Sequence, residues 1–255
     1  MIGAIAGDVI GSTYEHANVR HLGFDLFPDR STFTDDTVMT LALAEALMNG
    51  RGIAENYRRF CGWYPKAGYG FMFKAWAMDP TRGPYESYGN GAPMRVSPVV
   101  AVASNREEAL SLATESAAPT HNHPEGIKGA QVIAQAGFMA RKGASKDDIL
   151  AEAVALSGYD LGFHLDDIRD HYAFDATCQG SVPQALVAFR EGQNFEDTIR
   201  RAISIGGDSD TIACMAGTIA GPFFGVPPQI DRPTRARLDG RLAGILTNFE
   251  TRFPL

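Results

Sequence analysis

The sequence predicts an all-α protein, a single compact multi-helix orthogonal bundle with long loops over residues 1–255. Three observations carry that expectation. Apolar residues recur at the helical period in one segment after another. Residues that start and stop helices stand where those segments begin and end. Strand-like alternation is scarce, and its best candidate, Arg95 to Val102, is short and broken by Pro98.

In chain order, Gly3 to Gly11 reads as an apolar helix with glycine at every fourth position. Thr37 to Leu47 follows an Asp-Asp pair and is stopped by Asn49-Gly50. A long loop is expected between Gly62 and Pro93. Arg106 to Ser116, Pro124 to Lys142 and Lys146 to Leu156 follow as helices, the last opened by Ser145 with an acidic first turn. A second long loop runs from Ser157 to Gln179. Val182 to Glu191, ended by Gly192, and Phe195 to Ile205 are again helical. Thr211 to Val226 is the most apolar window, but it is shorter than a membrane span and carries Pro222, so it reads as a buried helix.

Composition narrows the function classes. Of the 255 residues, 45% are hydrophobic and 21% charged, which suits a soluble globular chain able to bury its own core. The net charge of -7 argues against nucleic acid or anionic lipid as a non-specific partner. Cys61, Cys178 and Cys214 are odd in number and far apart, which fits a reducing cytoplasm and excludes a cysteine-built zinc site. Met1 to Ile10 has no basic segment before it and is interrupted by Asp8, so it does not read as an export signal.

Two small-residue stripes stand out, Gly3-Gly7-Gly11 and Gly217-Gly221-Gly225. Glycine within a helix costs about 1 kcal/mol relative to alanine. Residues four apart share a face, where glycine lets another backbone approach closely. Taken singly, each glycine reads as tight packing. Together the stripes suggest a close approach that brings the neighbouring acidic motifs together.

Those motifs are Phe33-Thr34-Asp35-Asp36-Thr37 and Gly206-Gly207-Asp208-Ser209-Asp210-Thr211, each entering an apolar helix. Either alone reads as ordinary capping. Two such clusters, held against the core with no Arg or Lys inside either motif, would be prohibitive to bury unpaired, and a bound cation is the economical solution. Carboxylate and hydroxyl oxygens without clustered His or Cys select a hard ion, Mg²⁺, Mn²⁺ or Ca²⁺. Six oxygen-bearing side chains exceed what one Mg²⁺ would use, so a pair of ions sharing a carboxylate, with a water between them, is the expectation. The two helix amino termini also favour phosphate.

The segments GAIAGDVIGSTYE, FTDDT, SYGNGAPMRVSP, Thr120-His121 and GGDSDTIACMAGTIAG, in that order from Gly3 to Gly225, resemble the ADP-ribosylglycohydrolases. That family is typified by dinitrogen-reductase-activating glycohydrolase and the ADP-ribosyl-acceptor hydrolases. The resemblance implies an all-α fold with a binuclear Mg²⁺ centre, in which Mn²⁺ can substitute, at the floor of an ADP-ribose cleft. It also implies hydrolysis of an α-glycosidic bond at C1″ of the distal ribose. It assigns the metal ligands to Thr34, Asp35, Asp36, Asp208, Asp210 and Thr211. Ser209 stands where threonine is common, at a position not expected to ligate. Glu15 matches the catalytic glutamate near the metals. Ser87, Tyr88, Gly89, Asn90 and Gly91 match the segment that wraps the diphosphate and distal ribose, and His121 matches a pocket histidine.

Read from their residues alone, several of these positions are ambiguous. Glu15, four residues after Gly11, is a solvated helix end unless that helix terminates in the cleft, where it could take a proton from water. Gly89 and Gly91 permit close backbone approach to phosphates, or simply a turn. Arg95 is left open between a phosphate and an acidic partner. Tyr69, Phe71, Phe73 and Trp76 read as packing and loop anchors. The acids Asp160, Asp166, Asp167, Asp170 and Asp175 read as a solvated face more than as a rim for a basic substrate. The expected partner is an ADP-ribose conjugate, either a protein modified on arginine or serine or a small molecule, with no membrane or nucleic acid involved. Three alternatives stand beside this reading: a Mg²⁺-dependent phosphohydrolase, a non-catalytic ADP-ribose binder, and a packing-only protein with capped helices.

Overall fold

In the computed structural model, which describes residues 1–254, helix α1 (Ile2–Gly11) runs through the interior, and every residue from Gly3 to Gly11 is buried. Its principal partner is α12 (Ser209–Phe224), a helix enclosed on all sides from Ser209 to Ala220. A helix apolar all round belongs in the centre of a fold, and α12 is that centre. Around it pack α7 (Pro124–Arg141), α10 (Cys178–Glu191) and α11 (Phe195–Ser204). The second acidic helix, α2 (Asp35–Asn49), lies against α3 (Ile53–Trp63), α5 (Ser97–Val102), α14 (Gly240–Arg252) and α1. The peripheral elements are α4 (Phe71–Met78), α6 (Arg106–Ala117), α8 (Lys146–Ser157), α9 (Leu165–Ile168) and α13 (Pro228–Ala236). Among the described residues no sheet forms; one isolated antiparallel bridge joins Gly89 to Thr177.

The glycine stripe explains how α1 and α12 meet. A methyl group built on Gly7 would lie 2.1 Å from the carbonyl oxygen of Ala213, and one on Gly217 would lie 2.1 Å from that of Gly3. Only hydrogen fits between these backbones. At Gly11 the added carbon would sit 2.4 Å from Cα of Asp210, so the stripe ends against the second acidic motif. Gly225 departs from the expected stripe. It has φ 77° and ends α12, with nothing near its missing side chain, so its role is a helix stop.

Most helix ends follow their sequence signals. Gly50 adopts φ 61° at the end of α2, and the Ser145 hydroxyl accepts the Asp148 N–H at the start of α8. Three expectations fail. Arg95 to Val102 is a 3₁₀ turn (Pro93–Arg95) followed by α5, because Pro98 stands in the first helical turn, where its missing N–H costs no bond. The loop from Gly62 to Pro93 contains α4, and the loop from Ser157 to Gln179 contains α9 and the first residues of α10. Pro183, inside α10, lies beyond that unsignalled first turn. Helices α3, α13 and α14 carry no expectation from the sequence.

Candidate active site

Asp8, the one acid within α1, organises the first motif. Its carboxylate accepts the Thr34 hydroxyl at 2.7 Å, the Thr34 N–H at 3.0 Å and the Thr37 N–H at 3.1 Å, and it also accepts the Thr37 hydroxyl. Thr34 in turn caps α2, accepting the Asp36 N–H at 3.3 Å. Four bonds from one helical turn therefore fix the amino terminus of α2 onto α1. Gly11, one turn further along α1, presses on Asp210. Helix α1 is the strut that brings the two acidic motifs together.

Their meeting point is a direct contact. The Thr211 hydroxyl donates to Oδ2 of Asp36 at 3.2 Å, across 175 positions of sequence. Carboxylate oxygens of Asp8, Asp36 and Asp210 lie within 4.8 Å of one another, as do those of Glu15, Asp208 and Asp210. Asp210 is common to both groups. Asp208 is oriented by the Asn90 amide, which donates to its Oδ2 at 2.7 Å. Asp8, Asp36, Asp208 and Asp210 are all buried. Among the described residues no Lys or Arg forms an ion pair with them or with Asp35, and Oδ1 of Asp36 is buried without any hydrogen-bond partner.

Such an arrangement penalises negative charge. Burial, reinforced by the charge of Asp8, raises the Asp35 carboxyl to about 8. Burial and the neighbouring carboxylates push Asp36 and Asp210 well above the ordinary range, and burial raises Asp8, Asp208 and Glu15 as well. A divalent cation would reverse these costs. The donor set is all oxygen, includes a buried carboxylate oxygen with no hydrogen-bond partner, and fits a hard ion. Asp8 has both oxygens engaged by four donors, which leaves it better suited to holding Thr34 in place than to ligating.

The cleft above these acids has a volume of about 420 Å³. Glu15, Thr34, Asp35, Asp36, Asp208, Asp210 and Thr211 form one end of it. Glu15 follows α1 by one turn, its N–H bonded to Gly11 O at 3.2 Å, so the chain carries it into the cleft after the helix has ended. Ser87, Gly89, Asn90, Gly91 and His121 also line it, with Asn90 reaching Asp208. This loop is pinned to the segment before α10 by Asn90 N–H donating to Ala176 O at 2.8 Å and Cys178 N–H to Tyr88 O at 2.9 Å. Tyr88 is not brought in; its ring is half exposed and stands edge-on to His123 at 5.4 Å. His123 caps α7, accepting the Glu125 N–H at 3.1 Å. Ser209 is buried away from the cleft, its hydroxyl 3.5 Å from Gly11 O.

The side wall comes from the stretch 68–73 that the sequence reading left as loop. Tyr69, Phe73 and Trp76 are buried and stacked in series, as expected of anchors. Phe71 is not: it is 87% exposed at the cleft rim, opposite the also exposed Phe174. The acidic segment 160–175 spends its carboxylates locally. Asp160 accepts Gly162 N–H, Asp175 accepts Thr177 N–H, and Asp166 pairs with Arg169.

A family model described as ADP-ribosylglycohydrolase matches residues 1–250. The chain belongs to the ADP-ribosylglycohydrolase family. Human ADP-ribosylhydrolase ARH3 is 28% identical, over 89% of this chain and 84% of that protein. The ADP-ribosylarginine hydrolase Tri1 of Pseudomonas putida is 26% identical, over 90% of this chain and 71% of that protein. A solved structure titled ADP-ribosylglycohydrolase-related protein complex superposes with a TM-score of 0.72 at 26% identity, covering 99% of this chain and 95% of that one. This ADP-ribosylglycohydrolase is therefore an enzyme, with an all-α fold. Asp8, buried beneath its cleft and holding Thr34 and Thr37, is the residue of the site that the sequence alone does not reveal. The only available signal was a lone acid inside a glycine-striped apolar helix, which is costly unless the carboxylate is fully bonded.

Proposed function

We propose that this enzyme hydrolyses the α-glycosidic bond at C1″ of ADP-ribose conjugates, using two Mg²⁺ ions for which Mn²⁺ can substitute. Thr34, Asp35, Asp36, Asp208, Asp210 and Thr211 would hold the ions. The observation that carries this reading is the convergence of two acidic helix starts on one gap, with Asp36 touching Thr211 while its other oxygen has no partner. When bound, the metals supply Lewis acidity towards ribose hydroxyls and a coordinated water.

The chain's own groups complete the reaction. Glu15, next to Asp208 and Asp210, positions the water or accepts its proton, and partial burial raises its carboxyl in the direction a general base requires. Asn90 holds Asp208 in register and so ties the substrate loop to the metal end. Ser87, Gly89, Asn90 and Gly91 offer a close backbone surface to the diphosphate, with Tyr88 bracing the loop from outside. The amino termini of α2 and α12 add fixed positive potential over the same cleft. No described helix is long and apolar enough to cross a membrane. A cytoplasmic setting is proposed on the three free, buried cysteines, which suit a reducing compartment.

The acceptor is an ADP-ribosylated arginine or serine side chain, or a small ADP-ribose conjugate. A panel of arginine-, serine- and acetyl-linked ADP-ribose substrates, each assayed with Mg²⁺ and with chelator, tests the proposal. Release of ADP-ribose from at least one of them, abolished by chelator, is expected. Chelator-resistant turnover, or release of inorganic phosphate from simple phosphomonoesters in place of ADP-ribose, would overturn it.

A further inference from the structure

Arg95 is fully buried, yet it forms no ion pair among the described residues, and its Nε has no hydrogen-bond partner. A buried guanidinium without a carboxylate is costly and calls for a reason. Its charge lies over the Tyr57 ring at 4.6 Å and 6.0 Å from that of Phe73, a site built to hold a planar cation. One nitrogen, Nη2, donates to the Thr120 hydroxyl at 3.0 Å and stands 2.8 Å from Nδ1 of His121.

That last distance decides the state of the imidazole. Guanidinium has only donors and does not deprotonate in proteins. A proton on Nδ1 would face the Nη2 hydrogens across 2.8 Å, whereas a bare Nδ1 can accept from Nη2 and from the Thr120 hydroxyl, 2.7 Å away, which itself accepts from Nη2. Burial, and after it the charge of Arg95, pushes the imidazole well below its ordinary value, so it is neutral. The single ring proton is thereby placed on Nε2. Both side-chain hydrogen bonds of His121 run through Nδ1, which leaves Nε2 for the cleft. Nε2 lies against the substrate loop, so close that a methyl group on Gly91 would come within 2.9 Å of it.

We propose that Arg95 is a positioning residue that fixes His121 as the neutral Nε2–H tautomer and aims that donor at an anionic oxygen of the ligand diphosphate seated on residues 87–91. This rests on the ADP-ribose reading above and deepens it. The cleft then has both buried carboxylates and a buried positive charge in its lining. An elongated ligand with an anionic middle and a hydroxyl-bearing end is oriented by their field before any chemistry begins.

Two measurements test it. In ¹⁵N-histidine-labelled wild-type protein, long-range proton–nitrogen correlation, with His121 assigned by its absence in His121→Asn, is expected to show a bare Nδ1 and a protonated Nε2. A protonated Nδ1 or an imidazolium would overturn the proposal, whether or not any Arg95 variant folds. The second is a double-mutant cycle on the dissociation constant of free ADP-ribose in Mg²⁺, using Arg95→Met and His121→Ala. Methionine fills the space between the rings without charge or donor. Arg95→Met is expected to weaken ADP-ribose about tenfold or more with Mg²⁺ affinity unchanged, and to have little further effect in the His121→Ala background. Effects that simply multiply would show that Arg95 does not act through His121. Failure of wild-type protein to bind ADP-ribose would count against the proposed function, while the tautomer would still decide the state of His121.

Discussion

Asp36→Ala is expected to lower turnover of any ADP-ribose conjugate by about 10³-fold or more, the scale of losing a metal's several kcal/mol of transition-state stabilisation. The same substitution is expected to make the metal-free protein more heat-stable. In the wild type Asp36 is buried beside Asp8, Asp35 and Asp208 with one oxygen unbonded, so its removal relieves desolvation and repulsion together. The expected gain is about 1–3 kcal/mol, the usual cost of a buried polar group left without its partner. Mg²⁺ should raise the melting temperature of the wild type and not of the variant. Thermal unfolding with Mg²⁺ and with chelator, alongside an activity assay, checks both halves. A variant with wild-type turnover would remove Asp36 from the site.

The effect carries a pH signature. The folded-state pKa of Asp35 is raised from 3.8 to about 8, so between those values the folded chain holds more protons than the unfolded chain. Stability of the metal-free protein therefore falls as pH rises through that window, and the stabilisation by Mg²⁺ grows over the same range.

Gly7→Ala is expected to destabilise the fold by about 3 kcal/mol, the upper end of ordinary overpacking, and to weaken Mg²⁺ binding as well. The added carbon would lie 2.1 Å from the Ala213 carbonyl oxygen and 2.6 Å from the Cys214 nitrogen, backbone atoms with no rotamer to escape into. Relief requires α1 and α12 to separate, and separation withdraws Asp8 and Gly11 from the two acidic motifs they hold. Gly225→Ala provides the contrast. That glycine meets nothing, so the substitution acts only through its positive φ and should leave metal affinity intact. Denaturant unfolding and calorimetric Mg²⁺ titration of both variants separate the two effects.

The parts of this site written in local chemistry were legible beforehand. FTDDT and GGDSDT announce themselves as acidic helix starts because capping and helix dipole constrain the same residues that are proposed to bind a cation. The four-residue glycine spacing was legible too, since nothing local repays it. Other features depend on tertiary context. Asp8 looked like an interruption of an apolar run, because its four partners lie on another helix. Arg95 looked equally able to serve a phosphate or an acid, and only the packing around Tyr57, Thr120 and His121 shows that no acid pairs with it. Helix α4 was hidden because its eight residues are apolar nearly throughout and include an exposed Phe71, so no helical stripe emerges. Helix α13 shows no clear helical signal because it carries Pro228 and Pro233, although the first occupies the opening position that suits proline.

The proposed activity depends on residues 34–36, 208, 210 and 211 sharing divalent ions. The most direct measurement is anomalous scattering from a crystal of the protein grown with Mn²⁺. The account predicts strong peaks in the gap between Asp36 and Asp210, with Asp208 and Thr34 oxygens at coordinating distance. Absence of any peak there at saturating Mn²⁺, with Asp36 still bonded to Thr211, would contradict it.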